Sequence, residues 1–464
     1  MYFERIDNDM CEDKEKLNSE NCKNLSFMQC ADCQSPIISN VLSTIRNSVV
    51  IIHSPLGCAS SFIDFNIKFK IGLKKRGLPI KNAKLVSSNI TESDVIFDVD
   101  KKLKNAIDRS IESFNPKVIF ITSSCGSGIT ALDIQNVINS IQDEYSIPLI
   151  IITCELYNSG FWSSGAKLGQ SKNLNKLIKN NNICEKFYNV INFTGNDDIK
   201  EILDKIPVNW NYITCYTEYE CLEKMSGASG TLLISPDRFS KYISEWLKDE
   251  FNIPCINKTL PYGIEATDNF FDEIDIWFKE KFSVHNIISN DKNRYMEKLK
   301  EIKIKLNYIK CLPIIMGYGY EKSILVMLKD LDINIMDYDS KYKMIFDNSD
   351  MPFFKKELSG NLYGLQGVKI SFNQAYILIN FIGHMKPDLV IVKHYSLRAW
   401  TAKMGIPTLW IEDEFEFYGY KGMLQFAQRL LDLISNKNFI KNINKYSKLP
   451  YREWWMRENL LKKV

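Results

Sequence analysis

Three cysteines stand where a chain can offer sulfur to a metal. Cys33 opens Cys33-Gln34-Ser35-Pro36. Cys58 closes His53-Ser54-Pro55-Leu56-Gly57-Cys58, directly after the apolar run Val49-Val50-Ile51-Ile52. Cys125 follows the apolar run 118–122 and precedes Gly126-Ser127-Gly128. A strand that ends in a small-residue turn carrying a thiol presents sulfur at the carboxyl edge of a sheet, where open α/β sheets build their sites. Thiolate is the usual protein ligand of iron–sulfur clusters, so three such thiols point to iron. Gly57 and Gly126, beside two of them, let the backbone approach a bound group closely. Cys30-Ala31-Asp32-Cys33 is also a Cys-x-x-Cys pair, so Cys30 competes with Cys33 as first ligand, and Asp32 is an oxygen candidate. The 25-residue step to Cys58 favours Cys33. Cys154 sits at another strand end. Cys215, Cys221, Cys255 and Cys311 share no spacing and read as structural.

The elements that must position these thiols are legible as alternation. Apolar runs at 48–53, 118–123, 149–153, 190–193, 231–235, 312–316, 333–338, 389–392 and 408–411 read as buried strands. Helix-period segments fall at 101–114, 130–145, 238–251, 321–329, 373–385 and 421–434. Strands alternating with helices of this length predict parallel sheets. Three turn phrases, Ser146-Ile147-Pro148, Asn252-Ile253-Pro254 and Gly405-Ile406-Pro407, end a helix and lead into an extended run, because proline stops the helix. The expected division is a polar N-terminal arm at 1–25, a cluster-binding α/β domain at 26–207, a second α/β domain at 208–305, a third at 306–415, and C-terminal helices at 416–464.

Bulk properties exclude several classes. A chain of 464 residues is too long for one core. Its net charge of +3 gives no general attraction to nucleic acid. No stretch of about 18 apolar residues suggests a membrane span. The start of the chain is polar and carries no secretory signal, which predicts a reducing cytoplasm where clustered thiols serve metal or redox chemistry.

Other phrases carry weaker chemistry. Met316-Gly317-Tyr318-Gly319-Tyr320-Glu321-Lys322-Ser323 is a glycine-bearing turn but lacks the third glycine of a dinucleotide fingerprint and the Gly-Lys-Ser/Thr of a P-loop. His394 follows a strand. Glu412, Asp413, Glu414 and Glu416 form an acidic run after the last strand. Carboxylates there could donate protons or hold a hard metal. His394 and Glu412 are the candidate catalytic groups.

Read together, these residues resemble the nitrogenase component-1 family. The resemblance rests on Cys33 with His53-Ser54-Pro55-Leu56-Gly57-Cys58, Cys125 with Asp133 eight residues on, Cys154-Glu155 and Pro261-Tyr262-Gly263-Ile264. Near the end come Lys386-Pro387-Asp388-Leu389, Gly405-Ile406-Pro407 and Tyr418-Gly419-Tyr420-Lys421-Gly422. It implies three Rossmann-like, doubly wound parallel-sheet domains. It also implies that Cys33, Cys58 and Cys125 ligate a 4Fe-4S or larger cluster shared between subunits, either a homologous sister subunit or a second copy. An ATP-dependent iron–sulfur reductase is the implied electron donor. The implied function is the catalytic subunit of a two-component oxidoreductase; the alternative is a scaffold for cofactor assembly without turnover. The chain departs from the family at the large cofactor. Pro236 stands where the family's anchoring cysteine aligns, before Tyr242-Ile243-Ser244, and the anchoring histidine's place falls near Glu412. Any second metal centre is therefore expected to differ from the standard iron–molybdenum cofactor.

Overall fold

The computed structural model describes residues 39, 42–59, 62–97, 99–123, 133–152, 186–192, 199–236, 238–278, 283–316, 320–336, 344–347, 367–370, 375–392, 395–411 and 417–457. Every named strand pairs in parallel, in three sheets, as the alternation predicts. The chain divides into two units. One comprises Asp32–Asp197 and Pro207–Asn257; the other is built mainly from Lys258–Val464 with Asp198–Ile206.

The first unit holds two sheets. In one, β1 (Ser48–His53), β2 (Leu85–Ser87), β3 (Val118–Ser123) and β4 (Leu149–Ile152) lie in the order β2-β1-β3-β4. In the other, β5 (Tyr188–Asn192) lies between β6 (Trp210–Thr214) and β7 (Thr231–Leu233). The runs in β1 and β3 are continuously apolar because both faces of the sheet are covered. Val49, Ile51, Ile119 and Ile121 face Leu103 and Ile107 of the helix Val99–Phe114. Val50, Phe120 and Ile150 face the other way, toward Ile191, Ile213 and Trp246.

A third contact layer in this unit involves the helix Phe62–Lys75. Phe69 and Leu73 pack against Cys215 and Tyr216. Tyr216 has a φ of 65° and stands 5.2 Å from the Phe69 ring. Gly72 makes room for it: a Cβ at Gly72 would collide with the Tyr216 ring and hydroxyl. Gly72→Ala is therefore expected to destabilise this unit by about 1–3 kcal/mol, the usual cost of overpacking. Denaturant titration checks this, and an unchanged midpoint would show that the Tyr216 ring moves aside freely.

The second unit centres on a six-stranded sheet. Its strands are β8 (Lys310–Met316), β9 (Asn334–Ile335), β10 (Met344–Asp347), β11 (Gly367–Ile370), β12 (Leu389–Val392) and β13 (Thr408–Trp410). Their order is β11-β10-β8-β12-β13, with β9 paired to β8. The helix Tyr395–Lys403 ends at Gly405, whose φ of +78° suits a left-handed cap, and Ile406 N–H returns to the Thr401 carbonyl at 3.0 Å. Three further helices, Ile264–Phe278, Val284–Leu306 and Gly419–Ser435, are tied by one polar knot. The buried Tyr420 hydroxyl donates to Asp268 at 2.5 Å, and Lys292 reaches both Asp268 oxygens at 2.7 and 2.8 Å. Burial, followed by the Asp268 hydrogen bond, pushes the Tyr420 hydroxyl above its ordinary range.

Candidate metal centre

The cysteine site is built on the carboxyl edge of the β2-β1-β3-β4 sheet. β1 and β3 run level, with His53 opposite Ser123 and Ile52 opposite Thr122. After β1 the chain turns at Ser54-Pro55 into a single 3-10 turn, Leu56–Ala59, that carries Gly57 and Cys58. The turn closes locally: Cys58 N–H donates to the Pro55 carbonyl at 3.0 Å. Cys58 is a free thiol, partly exposed. Among the described residues, a Cβ at Gly57 would meet nothing within 4 Å.

Three chain segments converge on this edge. Buried Ser39, six residues after Cys33, lies with its Oγ 3.1 Å from Thr122 Oγ1. Thr122 stands three residues before Cys125 and pairs with Ile52. Ile52 leads through His53 into the Cys58 turn. Cys33, Cys125 and Gly126 lie outside the described residues, as do Cys30, Asp32 and Cys154. Among the described residues no group of three or more His, Cys, Asp and Glu could hold a metal ion.

One pair of residues at this edge carried no role in the sequence reading. His53 is fully buried, and its Nδ1 lies 3.1 Å from Ser88 Oγ. Ser88 Oγ also accepts the Ser54 N–H at 3.2 Å, and Ile90 N–H donates to the Ser54 carbonyl at 3.1 Å. These bonds fasten the start of the Cys58 turn to the segment after β2. Burial pushes the His53 imidazole down to about 4, so it is neutral near pH 7. A signal was present, because His53 opens the same phrase that Cys58 closes; its partner Ser88 carried none.

The other predicted positions are placed as follows. Asp133 caps the helix Ile134–Ile141 and accepts the Asn136 N–H at 3.1 Å. Cys311 is fully buried in β8, and burial pushes its thiol well above the ordinary range, which disfavours the thiolate a metal needs. In the second unit Val392, at the end of β12, is opposite Trp410, at the end of β13. His394 and Glu412 each follow two residues later in the chain and lie outside the described residues. A cleft of ≈ 390 Å³ in this unit is lined by Lys205, Asp291, Glu201 and Lys421 among others. Its lysines are matched, Lys205 to Asp291 at 2.5 Å and Lys421 to Glu201 at 3.0 Å, so it offers no uncompensated charge from these groups to a ligand.

Parallel strands in three sheets, with helices between them in the chain, define an α/β protein of the doubly wound kind. The chain matches the nitrogenase component 1 type oxidoreductase family over residues 33–435 and belongs to that family. It is 24% identical over 282 residues to the nitrogenase molybdenum-iron protein alpha chain of Methanosarcina barkeri, covering 57% of this chain and 51% of that one. It is 25% identical to the nitrogenase iron-molybdenum cofactor biosynthesis protein NifE of the same organism, covering 63% and 65%. NifE of Methanococcus maripaludis is 22% identical over 84% of this chain and 80% of its own length. The chain thus spans from about half to two thirds of the first two relatives. The solved structure of nitrogenase Cp1 at pH 6.5 superposes with a TM-score of 0.69 at 19% identity, covering 92% of both chains, a likeness that establishes the fold. No helix among the described residues is long and apolar enough to cross a membrane.

Proposed function

We propose that this chain is the cluster-bearing subunit of a nitrogenase-like two-component oxidoreductase. The observation that supports the reading is the meeting of Ser39, Thr122 and Ile52 at one sheet edge, each within six residues of Cys33, Cys125 or Cys58 in the sequence. Cys33, Cys58 and Cys125 hold an iron–sulfur cluster, 4Fe-4S or larger, whose remaining ligands come from a sister subunit or second copy. Held there, such a cluster supplies one-electron transfer. The chain's own part is placement. β1 and β3 bring their carboxyl ends level, and the Pro55–Ala59 turn carries the partly exposed Cys58, with no described atom near a Cβ at Gly57. Neutral His53 keeps a positive charge away from the turn. An ATP-dependent iron–sulfur reductase is the electron donor, and the compartment is the cytoplasm. Glu412 and His394 serve as proton-handling groups at the substrate site. Pro236, which has no ligand atom, argues that any second metal centre differs from the standard iron–molybdenum cofactor.

A second reading is a scaffold for cofactor assembly. The similarity to NifE proteins over 84% of the chain favours it. Anaerobic purification tests the shared claim: the protein is expected to be brown and to carry iron and acid-labile sulfide. A colourless, iron-free protein refutes both readings. Repeated turnover with the reductase and ATP supports the enzyme; release of a cofactor precursor without turnover supports the scaffold.

A further inference from the structure

The C-terminal stretch of the second unit has an unusual surface. Residues 437–457 carry six Lys or Arg against one acid, Glu453, a net +5 where the whole chain is only +3. They form two short helices, Lys437–Tyr446 and Glu453–Arg457. In the first, Phe439, Ile440, Ile443 and Tyr446 share one side, at the i, i+1, i+4, i+7 spacing of a helix face. Asn438, Lys441, Asn442 and Lys445 take the other side. A helix so divided ordinarily buries its apolar side, yet no residue of this one is buried. Phe439 is 70% exposed and Tyr446 81% exposed, while Ile440 and Ile443 are half-buried. Trp454, on the second helix, is 62% exposed.

The stretch is nevertheless fixed to the fold. Asn444 Nδ2 donates to the Lys403 carbonyl at 2.5 Å, and the Asn444 Cβ lies 3.2 Å from where a Cβ would stand on Gly405. The Tyr451 ring stacks on Trp400, with centroids 6.0 Å apart. Trp400 and Lys403 are one turn apart on the helix Tyr395–Lys403, so both anchors sit at the same end of it. The positive charge is not neutralised. The one acid, Glu453, meets Arg457 at 3.3 Å. Lys437, Lys441, Lys445, Lys448 and Arg452 form no ion pair among the described residues.

We propose that this surface, Phe439, Tyr446 and Trp454 with Lys441, Lys445 and Lys448, seats the protein on a bilayer of anionic phospholipid. The proposal stands apart from the cluster and from the electron donor. A helix with an apolar stripe beside lysines is the pattern of an interfacial helix, which lies along a membrane and needs no span. Tyr and Trp favour the headgroup level, where one end of the ring is apolar and the other wet. Lysines bring the surface to an anionic leaflet. A single-stranded nucleic acid has use for the aromatics but none for the two isoleucines beside them.

The test uses the anaerobically purified protein in its native assembly. Co-sedimentation is measured at low and high salt with vesicles of phosphatidylcholine alone and of phosphatidylcholine with phosphatidylglycerol. The wild type is expected to bind the phosphatidylglycerol vesicles only, and to be released by salt. Lys441→Gln/Lys445→Gln/Lys448→Gln should weaken binding on the order of a hundredfold, at about fivefold per lysine. Phe439→Ser/Tyr446→Ser should weaken it on the order of tenfold at low salt. All five side chains are exposed, so thermal midpoints should match the wild type. A wild type that ignores the anionic vesicles, or that binds neutral ones equally, overturns the proposal. Unchanged binding by the lysine variant does so too. So does a wild type that prefers single-stranded oligonucleotide, or a variant whose assembly falls apart, which would give this surface to a subunit interface.

Discussion

Replacing Cys33, Cys58 and Cys125 together by Ala is expected to remove essentially all iron and acid-labile sulfide while leaving the α/β fold assembled. The reason for the first half is chemical. Iron–sulfur clusters need deprotonated sulfur, and Ala supplies none. The reason for the second half is structural. Cys58 sits in a one-turn segment outside the strand and is partly exposed, so its loss opens no core cavity. The interior of this unit is carried instead by residues such as Val49, Ile51, Phe120 and Ile121, none of which the substitutions touch. Metal analysis and circular dichroism of the anaerobic variant read the two halves separately. Full iron retention refutes the ligand assignment. Loss of the fold along with the iron would mean that the metal, not the sheet, organises this edge.

The second large effect is acid sensitivity set by one imidazole. His53 is fully buried and its folded pKa is about 4, against 6.5 for the free side chain. Above pH 6.5 folded and unfolded forms are both neutral, and the group contributes no pH dependence. Between 6.5 and 4 the unfolded chain takes a proton that the folded chain refuses, so stability falls with pH by up to about 1.4 kcal/mol per unit. The total across that window is about 3 kcal/mol, lost progressively as pH drops toward 4. Carboxylates add their own acid dependence below this range, so the comparison must be differential. His53→Asn keeps a polar atom near Ser88 and removes the titrating ring. Urea titrations from pH 7 to pH 4 should show the variant losing stability less steeply than the wild type. Parallel curves for the two proteins would show that His53 takes up its proton as readily folded as unfolded.

Much of the architecture was readable because its strands are buried on both faces. β12 is uniformly apolar and β1 and β3 carry continuous apolar cores, Val49–Ile52 and Val118–Ile121, and the predicted bounds 48–53, 118–123 and 389–392 coincide with the observed ones. β2 and β6 escaped. Leu85–Ser87 is only three residues and half-buried, so it carries little pattern. Trp210–Thr214 contains Asn211, whose side chain donates to Asn189 and to the Cys221 carbonyl at 2.9 Å; a strand stabilised by buried amides does not read as an apolar run. The helix Phe62–Lys75 escaped for a different reason. Phe69 and Leu73 point inward while Ile67 and Ile71 stay exposed, so apolar residues occur on both faces and the periodicity blurs. What obscured the helix is the exposed stripe itself.

The site divides in the same way. The turn bearing Gly57 and Cys58 was legible from local sequence. The bonds that hold it were not, because they join Ser39 to Thr122 across 83 residues and His53 to Ser88 across 35. No local pattern encodes such a pairing.

The path of the chain through the two units has a consequence for biosynthesis. Asp198–Ile206 interrupts the first unit and belongs to the second, and within it Ile202, Leu203 and Ile206 are buried. β5 is made before this excursion, yet its sheet neighbours β6 and β7 come after it. On the ribosome the first unit can therefore close once residue 257 has emerged. The apolar residues of the excursion must then wait in solvent until Lys258–Val464 is synthesised. For that interval the nascent protein displays a sticky nine-residue loop on an otherwise finished domain, which makes it a natural client for a chaperone that binds short apolar segments.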